Sequence, residues 1–199
     1  MYSRISTVRD VDQIVKIHQS AFADFFLTSL GTDFLKFYYS SFINNEETLC
    51  LVAVDDEEIV GFSAATMKSK GFNSRLIRSN LMAFFGWSCK MLFTSPKALV
   101  RLAKNLTKKS DTVDDKEEYA ELFSIGVSPI CQGKGVGSLL LSETESLVYK
   151  NGGVRLSLTT DYDNNESAIA FYQRNGYRVL YEFITYPNRK MYRFIKDLG

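Results

Sequence analysis

The segment YAELFSIGVSPICQGKGVGS, Tyr119 to Ser138, decides the reading of this chain. Its first half, Tyr119 to Val127, reads as a strand, and Ser128-Pro129 ends it. Its second half places Gly133, Gly135 and Gly137 within five residues, directly before a helix predicted over Val136 to Lys150. That helix carries Leu139, Leu140, Thr144, Leu147 and Val148 at helical spacing, and Gly152-Gly153 stops it. Glycines let the backbone come close to a ligand. The helix start points free N–H groups and the positive end of its dipole at the same spot. A pyrophosphate needs this arrangement. The alternative is a tight strand-to-helix turn that binds nothing.

Toward the C-terminus, Val154 to Thr160 reads as a central strand, apolar on both faces. Asn165 to Arg174 is a short helix stopped by Asn175-Gly176. Tyr177 to Ile184 and Lys190 to Ile195 alternate as a final hairpin around Pro187-Asn188. Toward the N-terminus, Thr48 to Asp55 and Ile59 to Met67 form a hairpin turning at Asp56-Glu57. A helix over Thr32 to Ile43 precedes it, with Phe34, Leu35, Tyr38 and Phe42 on one side. Before that come a strand, Arg4 to Val8, and a helix starting at Asp10. There Asp10 and Gln13 have capping-box spacing, and Ile14, Ile17, Ala21 and Phe22 form a stripe. Strands and helices in this order imply an α/β fold with a mixed sheet.

Composition narrows the class. The 199 residues suit one domain, 1–199, and 45% hydrophobic content with 15 Phe and 11 Tyr excludes a disordered chain. Cys50, Cys89 and Cys131 are far apart and His18 is the sole histidine, which argues against a metal site. Free thiols fit a reducing cytoplasm, and the first ten residues lack the apolar core of a signal peptide. Asn80 to Phe93 is too short for a membrane span and includes Lys90. From Gly61 to Ser110 there is no acidic residue but ten basic ones, although the whole chain carries only +1. Residues 68–115 read as a helical insertion. In it Lys97, Arg101, Lys104 and Lys108 make one basic face.

Which phosphate motif the glycines make follows by comparison. A P-loop needs Gly-Lys followed by Ser or Thr, but Lys134 is followed by Gly135. The dinucleotide fingerprint needs a third glycine at 138, which is Ser138. Gln132, Gly135 and Gly137 fit Gln/Arg-x-x-Gly-x-Gly. Asn165, Ala168, Tyr172, Gly176 and Tyr177 fit Asn-x-x-Ala-x-x-x-Tyr-x-x-x-Gly-(Phe/Tyr). Both patterns, and the one helix and one strand between them, resemble the GNAT family of N-acetyltransferases. The likeness is specific from Tyr119 to Tyr181 and looser from Arg4 to Met67. It implies a mixed, mostly antiparallel central sheet flanked by helices, with acetyl-CoA as co-substrate and no metal. It also implies direct acetyl transfer to a primary amine in a ternary complex. Donor contacts would come from Ile125, Val127, the loop Gln132, Gly133, Lys134, Gly135, Val136, Gly137 and Ser138, and from Asn165 and Tyr172.

The same resemblance suggests catalytic roles. Glu121, six residues before Val127, matches the base of some members, and an apolar surround would favour its neutral form. Tyr172 matches the tyrosine that approaches the thiol sulfur, with a core aromatic as its alternative. Asn165 would bond the pantetheine arm, cap its helix, or both. Carbonyl polarisation would fall to backbone N–H groups near Val127, with Gly126 consistent with a bulge. His18 reads as a surface or half-buried helix residue. Cys131 lacks a neighbouring base in the sequence, which argues against covalent catalysis. The basic insertion has three open readings: a solvated face, a wall for an anionic acceptor, or a peripheral contact with membrane or protein. Nucleic acid is not expected. The acceptor stays open among an amino sugar, another small amine and a protein N-terminus, and the oligomeric state stays open with a homodimer as one option. A non-catalytic acyl-CoA-binding or regulatory module is the alternative function.

Overall fold

The computed structural model describes residues 1–82, 84, 86, 115–116, 118–185 and 188–199. In chain order the elements are β1 (Tyr2–Ile5), α1 (Val11–Ala21), α2 (Thr32–Ile43), β2 (Thr48–Asp55), β3 (Glu58–Thr66) and α3 (Phe72–Ser79). After them come β4 (Ala120–Val127), α4 (Val136–Lys150), β5 (Arg155–Asp161), α5 (Glu166–Arg174), β6 (Arg178–Thr185) and β7 (Arg189–Asp197). The strands make one seven-stranded sheet in the order β1-β2-β3-β4-β5-β7-β6. All neighbours pair antiparallel except β4 and β5. The basic face over Lys97, Arg101, Lys104 and Lys108 lies outside the described residues, as does Cys89.

Helices cover both sheet faces, so strand alternation sorts side chains between two cores. Cys50, Val52 and Val54 of β2 pack with Phe62 and Ala64 of β3 under Ile14 of α1, Tyr39 and Phe42 of α2, and Phe72 of α3. On the opposite face, Leu51 and Ala53 meet Val136 and Leu140 of α4. Further along that face, Leu122, Leu156, Leu158 and Phe194 meet Leu141 of α4 and Tyr172 of α5. Asp56 and Glu57 turn the β2–β3 hairpin with φ of 46° and 66°, the left-handed pair that matches strand twist in a two-residue turn.

Two local expectations are corrected. The residue that caps back onto the chain at the first helix is Asp10 with Thr7, not Gln13 with Asp10. A short 3₁₀ turn, Val8–Asp10, precedes α1. The Thr7 N–H donates to Asp10 Oδ2 at 2.7 Å, and Arg4 grips the same carboxylate at 2.7 and 2.8 Å. The Arg4 hydrogen bond, assisted by the Thr7 N–H against the effect of burial, holds Asp10 down at about 2. The bulge in β4 sits at Phe123, not at Gly126. Register passes from Ala65↔Leu122 to Ala64↔Ser124, leaving Phe123 as the extra residue. Gly126 has another reason to be glycine: an added Cβ would lie 2.7 Å from the Phe62 ring.

The bulge positions the site. β4 runs parallel beside β5 for only three pairs, Ala120↔Leu156 to Leu122↔Leu158. From Phe123 onward β4 stays with β3 as far as Val127, while β5 continues beside β7 to Asp161. A bulge bends its strand and strengthens the local twist. The two strands therefore part at Leu122, and the sheet opens between them.

Candidate active site

β4 delivers the chain into a 3₁₀ turn, Pro129–Cys131, and then into the glycine loop. Gly133 and Gly135 have φ of +75° and +84°, a region that L side chains enter only at a cost. Among the described residues, no atom beyond the adjoining residues lies within 4 Å of where a Cβ would stand at either position, so that side of the loop is open among them. Gly135 is the N-cap of α4, and the N–H groups of Val136, Gly137 and Ser138 have no intrahelical acceptor. Gln132 through Gly135 and Ser138 are exposed. Gly137 faces the protein instead, since a Cβ there would stand 3.4 Å from the Phe171 ring of α5. An open, left-handed turn on the positive end of a fifteen-residue helix fits the pyrophosphate of a coenzyme A ester.

Tyr172 stands where the strands part. It is buried in the cluster holding Leu122 and Leu158, the last β4–β5 pair, and packs against Tyr177 and Phe194 with centroids 5.9 and 6.0 Å away. Burial pushes its hydroxyl well above the ordinary tyrosine value, so it keeps its proton at neutral pH. Asn165 occupies the N-cap of α5 without capping it. Its amide donates backward to Thr160 Oγ1 at 2.5 Å and to the Asp161 carbonyl at 3.2 Å. Cys131 is buried with Val136 and Leu140.

Glu121 is not in an apolar surround. One carboxylate oxygen accepts from Arg193 of β7 at 2.5 Å and the other from the Ser69 hydroxyl. Burial works against the Arg193 charge, but Glu121 with the Tyr119 and Tyr181 hydroxyls outweighs it, so the guanidinium stays ionised. Glu121 is paired with Thr66 and Ser124 with Ala64, so both lie on the α1–α2 side of the sheet. Phe123 packs on that side too, 5.9 Å from Phe42 and 5.1 Å from Phe72.

On the same side, a cavity of about 300 Å³ opens where β4 leaves β5. Its floor is Phe123 and Ser124 of β4, Thr159 of β5, Phe183 and Thr185 of β6, and Arg189 and Met191 of β7. Its roof is His18 and Phe22 with the loop residues Phe25, Phe26 and Leu27. His18 is thus neither on the surface nor half-buried. It is 2% exposed, with Nδ1 2.7 Å from the Tyr39 hydroxyl and its ring 5.0 Å from Phe22. Burial lowers its pKa to about 4.

Residues 11–177 match the Acetyltransferase (GNAT) family. The chain belongs to the GNAT acetyltransferases. Solved structures agree in fold over nearly the whole chain. The ribosomal-protein-S18-alanine N-acetyltransferase of Escherichia coli superposes with a TM-score of 0.62 at 17% identity, covering 99% of this chain and 93% of that one. Aminoglycoside 6'-acetyltransferase type Ii gives 0.64 at 16%, over 100% and 98%. The PaiA N-acetyltransferase of Thermoplasma acidophilum, in complex with coenzyme A, gives 0.59 at 15%, over 98% and 97%. No curated protein matches the chain.

This GNAT acyltransferase therefore brings together only part of what its sequence singles out. The loop from Gln132 to Ser138 follows directly from β4, whose residues include Glu121, Ile125 and Val127, and Tyr172 closes the fork beneath it. The cavity residues His18, Arg189 and Phe25 were not singled out as site residues. The one available signal was Phe22, Phe25 and Phe26, three aromatics packed into the connection between two helices. Among the described residues, no helix is long and apolar enough to cross a membrane.

Proposed function

We propose that the chain, as one domain over 1–199, transfers the acetyl group of acetyl-CoA to a primary amine by direct attack. The observation that supports this best is the fork: an open glycine turn on α4 lies at one end of β4, and a cavity lies over the gap where β4 leaves β5. Acetyl-CoA, when bound, supplies an electrophilic carbonyl and a thiolate leaving group. Gly133, Gly135 and the first N–H groups of α4 would hold its pyrophosphate, and Asn165 would hold the pantetheine arm. Backbone N–H groups of Ile125 and Val127, beyond the point where β5 pairing stops, would face the carbonyl oxygen as charge develops there.

The acceptor nitrogen forms the new N–C bond as the C–S bond breaks, so one proton must leave the amine and one must reach the sulfur. Tyr172 supplies the second from its protonated hydroxyl. Glu121 does not line the cavity and has Arg193 and Ser69 on its two oxygens, so it would receive the first only by way of water. Holding both reactants in one fork contributes effective concentration besides. Tyr172→Phe tests the assignment. It keeps the packed ring, so acetyl-CoA affinity is expected to stay within about twofold while kcat falls by about 10²-fold or more. A kcat equal to that of the unaltered protein would remove Tyr172 from the reaction.

A further inference from the structure

We propose that the cavity takes a small apolar primary amine, with the Nε2 edge of His18 as the polar contact to its amino group. This inference rests on the acetyltransferase reading above and names its acceptor class. The volume of about 300 Å³ is at the small end of ligand pockets. Its walls are mostly Phe22, Phe25, Phe123, Phe183 and Met191, which reward the burial of an aryl or alkyl group.

Charge argues the same way. Among the described residues lining the cavity, Arg189 is the one that carries a charge. Its guanidinium is held bidentate by Asp161 and lies 5.2 Å from the centre of the Phe25 ring. Among the described lining residues there is no carboxylate. A polyamine or an aminoglycoside would bring extra ammonium groups into a space with no counter-charge, at a large desolvation cost.

One polar atom is left over. His18 lines the cavity and is 2% exposed, and Tyr39 occupies its Nδ1. Its Nε2 is buried and has no hydrogen-bond partner among the described residues. A buried unmade hydrogen bond is costly, and a ligand that completes it removes that cost. With the ring proton on Nδ1 and donated to Tyr39 Oη, Nε2 carries a lone pair and accepts an N–H of the amine. The amine's own lone pair then stays free for the carbonyl.

The test uses the full chain with acetyl-CoA, reading thiol release for 2-phenylethylamine, glucosamine, spermidine, kanamycin and a short peptide with N-terminal alanine. Ring burial gives 2-phenylethylamine a kcat/KM about 10- to 100-fold above each of the others. His18→Phe keeps the bulk and removes the nitrogens. It raises KM for 2-phenylethylamine about tenfold with little change in kcat or in KM for acetyl-CoA, and His18→Gln recovers most of the loss. Should His18→Phe not fold, the Hε1 resonance of the sole histidine is followed instead, and it shifts when 2-phenylethylamine is added. A preference for spermidine, kanamycin, glucosamine or the peptide overturns the proposal and leaves acetyl transfer standing. So does turnover of any other amine of the panel with none of 2-phenylethylamine. An unmoved KM in a folded His18→Phe, or an unmoved Hε1 resonance, removes His18 from the contact. Failure to bind acetyl-CoA at all sinks the acetyltransferase reading instead.

Discussion

Lowering the pH should destabilise this protein through one residue. His18 is the sole histidine, and burial takes it from the ordinary 6.5 down to about 4. Between those values the unfolded chain binds a proton that the folded chain excludes, so stability rises with pH across the window. The His18 contribution is intact above about 6.5 and is lost as the pH falls toward about 4. From pH 7.5 to pH 5 the two values give a loss of about 2 kcal/mol. With a urea dependence of about 1–3 kcal/mol per molar, the unfolding midpoint falls by about 1 M. Asp10, held at about 2, titrates below this range and does not contribute to it. Urea unfolding followed by circular dichroism at the two pH values, on the natural chain and on His18→Gln, makes the comparison. The variant is expected to lose most of the difference. If both chains lose the same stability between the two pH values, the burial argument for His18 is wrong.

Two further outcomes follow from the site. Gly135→Val forces a β-branched residue into φ of +84° and fills the open side of the turn. The Kd for acetyl-CoA by calorimetry is expected to rise at least about tenfold, with about 1–2 kcal/mol lost in stability from the strained backbone. An unchanged Kd would place the pyrophosphate elsewhere. Arg193→Met leaves Glu121 buried with the Ser69 hydroxyl as its remaining hydrogen-bond donor among the described residues, and loss of one member of a buried pair costs about 3–5 kcal/mol. A melting temperature within a degree or so of the unaltered chain would show that the pair is not buried as described.

Local chemistry was legible in the sequence and long-range packing was not. Thr32–Ile43, Thr48–Asp55 and Val136–Lys150 begin and end where their periodicity and stop signals place them, because period and caps are properties of neighbouring residues. The glycine turn is legible for the same reason. The first helix cap differs from its sequence pattern because Asp10 can serve either Gln13 or Thr7 at the same spacing, and Arg4 from the strand before it decides for Thr7. The surround of Glu121 depends on Arg193, 72 residues away, and that of His18 on Tyr39 and Phe62 from other elements. The bulge belongs to a register between two strands, so Phe123 shows no sign of it and Gly126 gives a false one. No local pattern carries that information.

Acetyl transfer at the fork is read from the product itself. The full chain is incubated with acetyl-CoA and 2-phenylethylamine, with glucosamine and spermidine in parallel, and the mixtures are read by mass spectrometry. The expected products are an amine heavier by one acetyl group and one free coenzyme A for each amide formed, and both are lost with Gly135→Val. Acetyl-CoA that binds yet returns unchanged with every amine would contradict it and favour a non-catalytic acyl-CoA-binding protein.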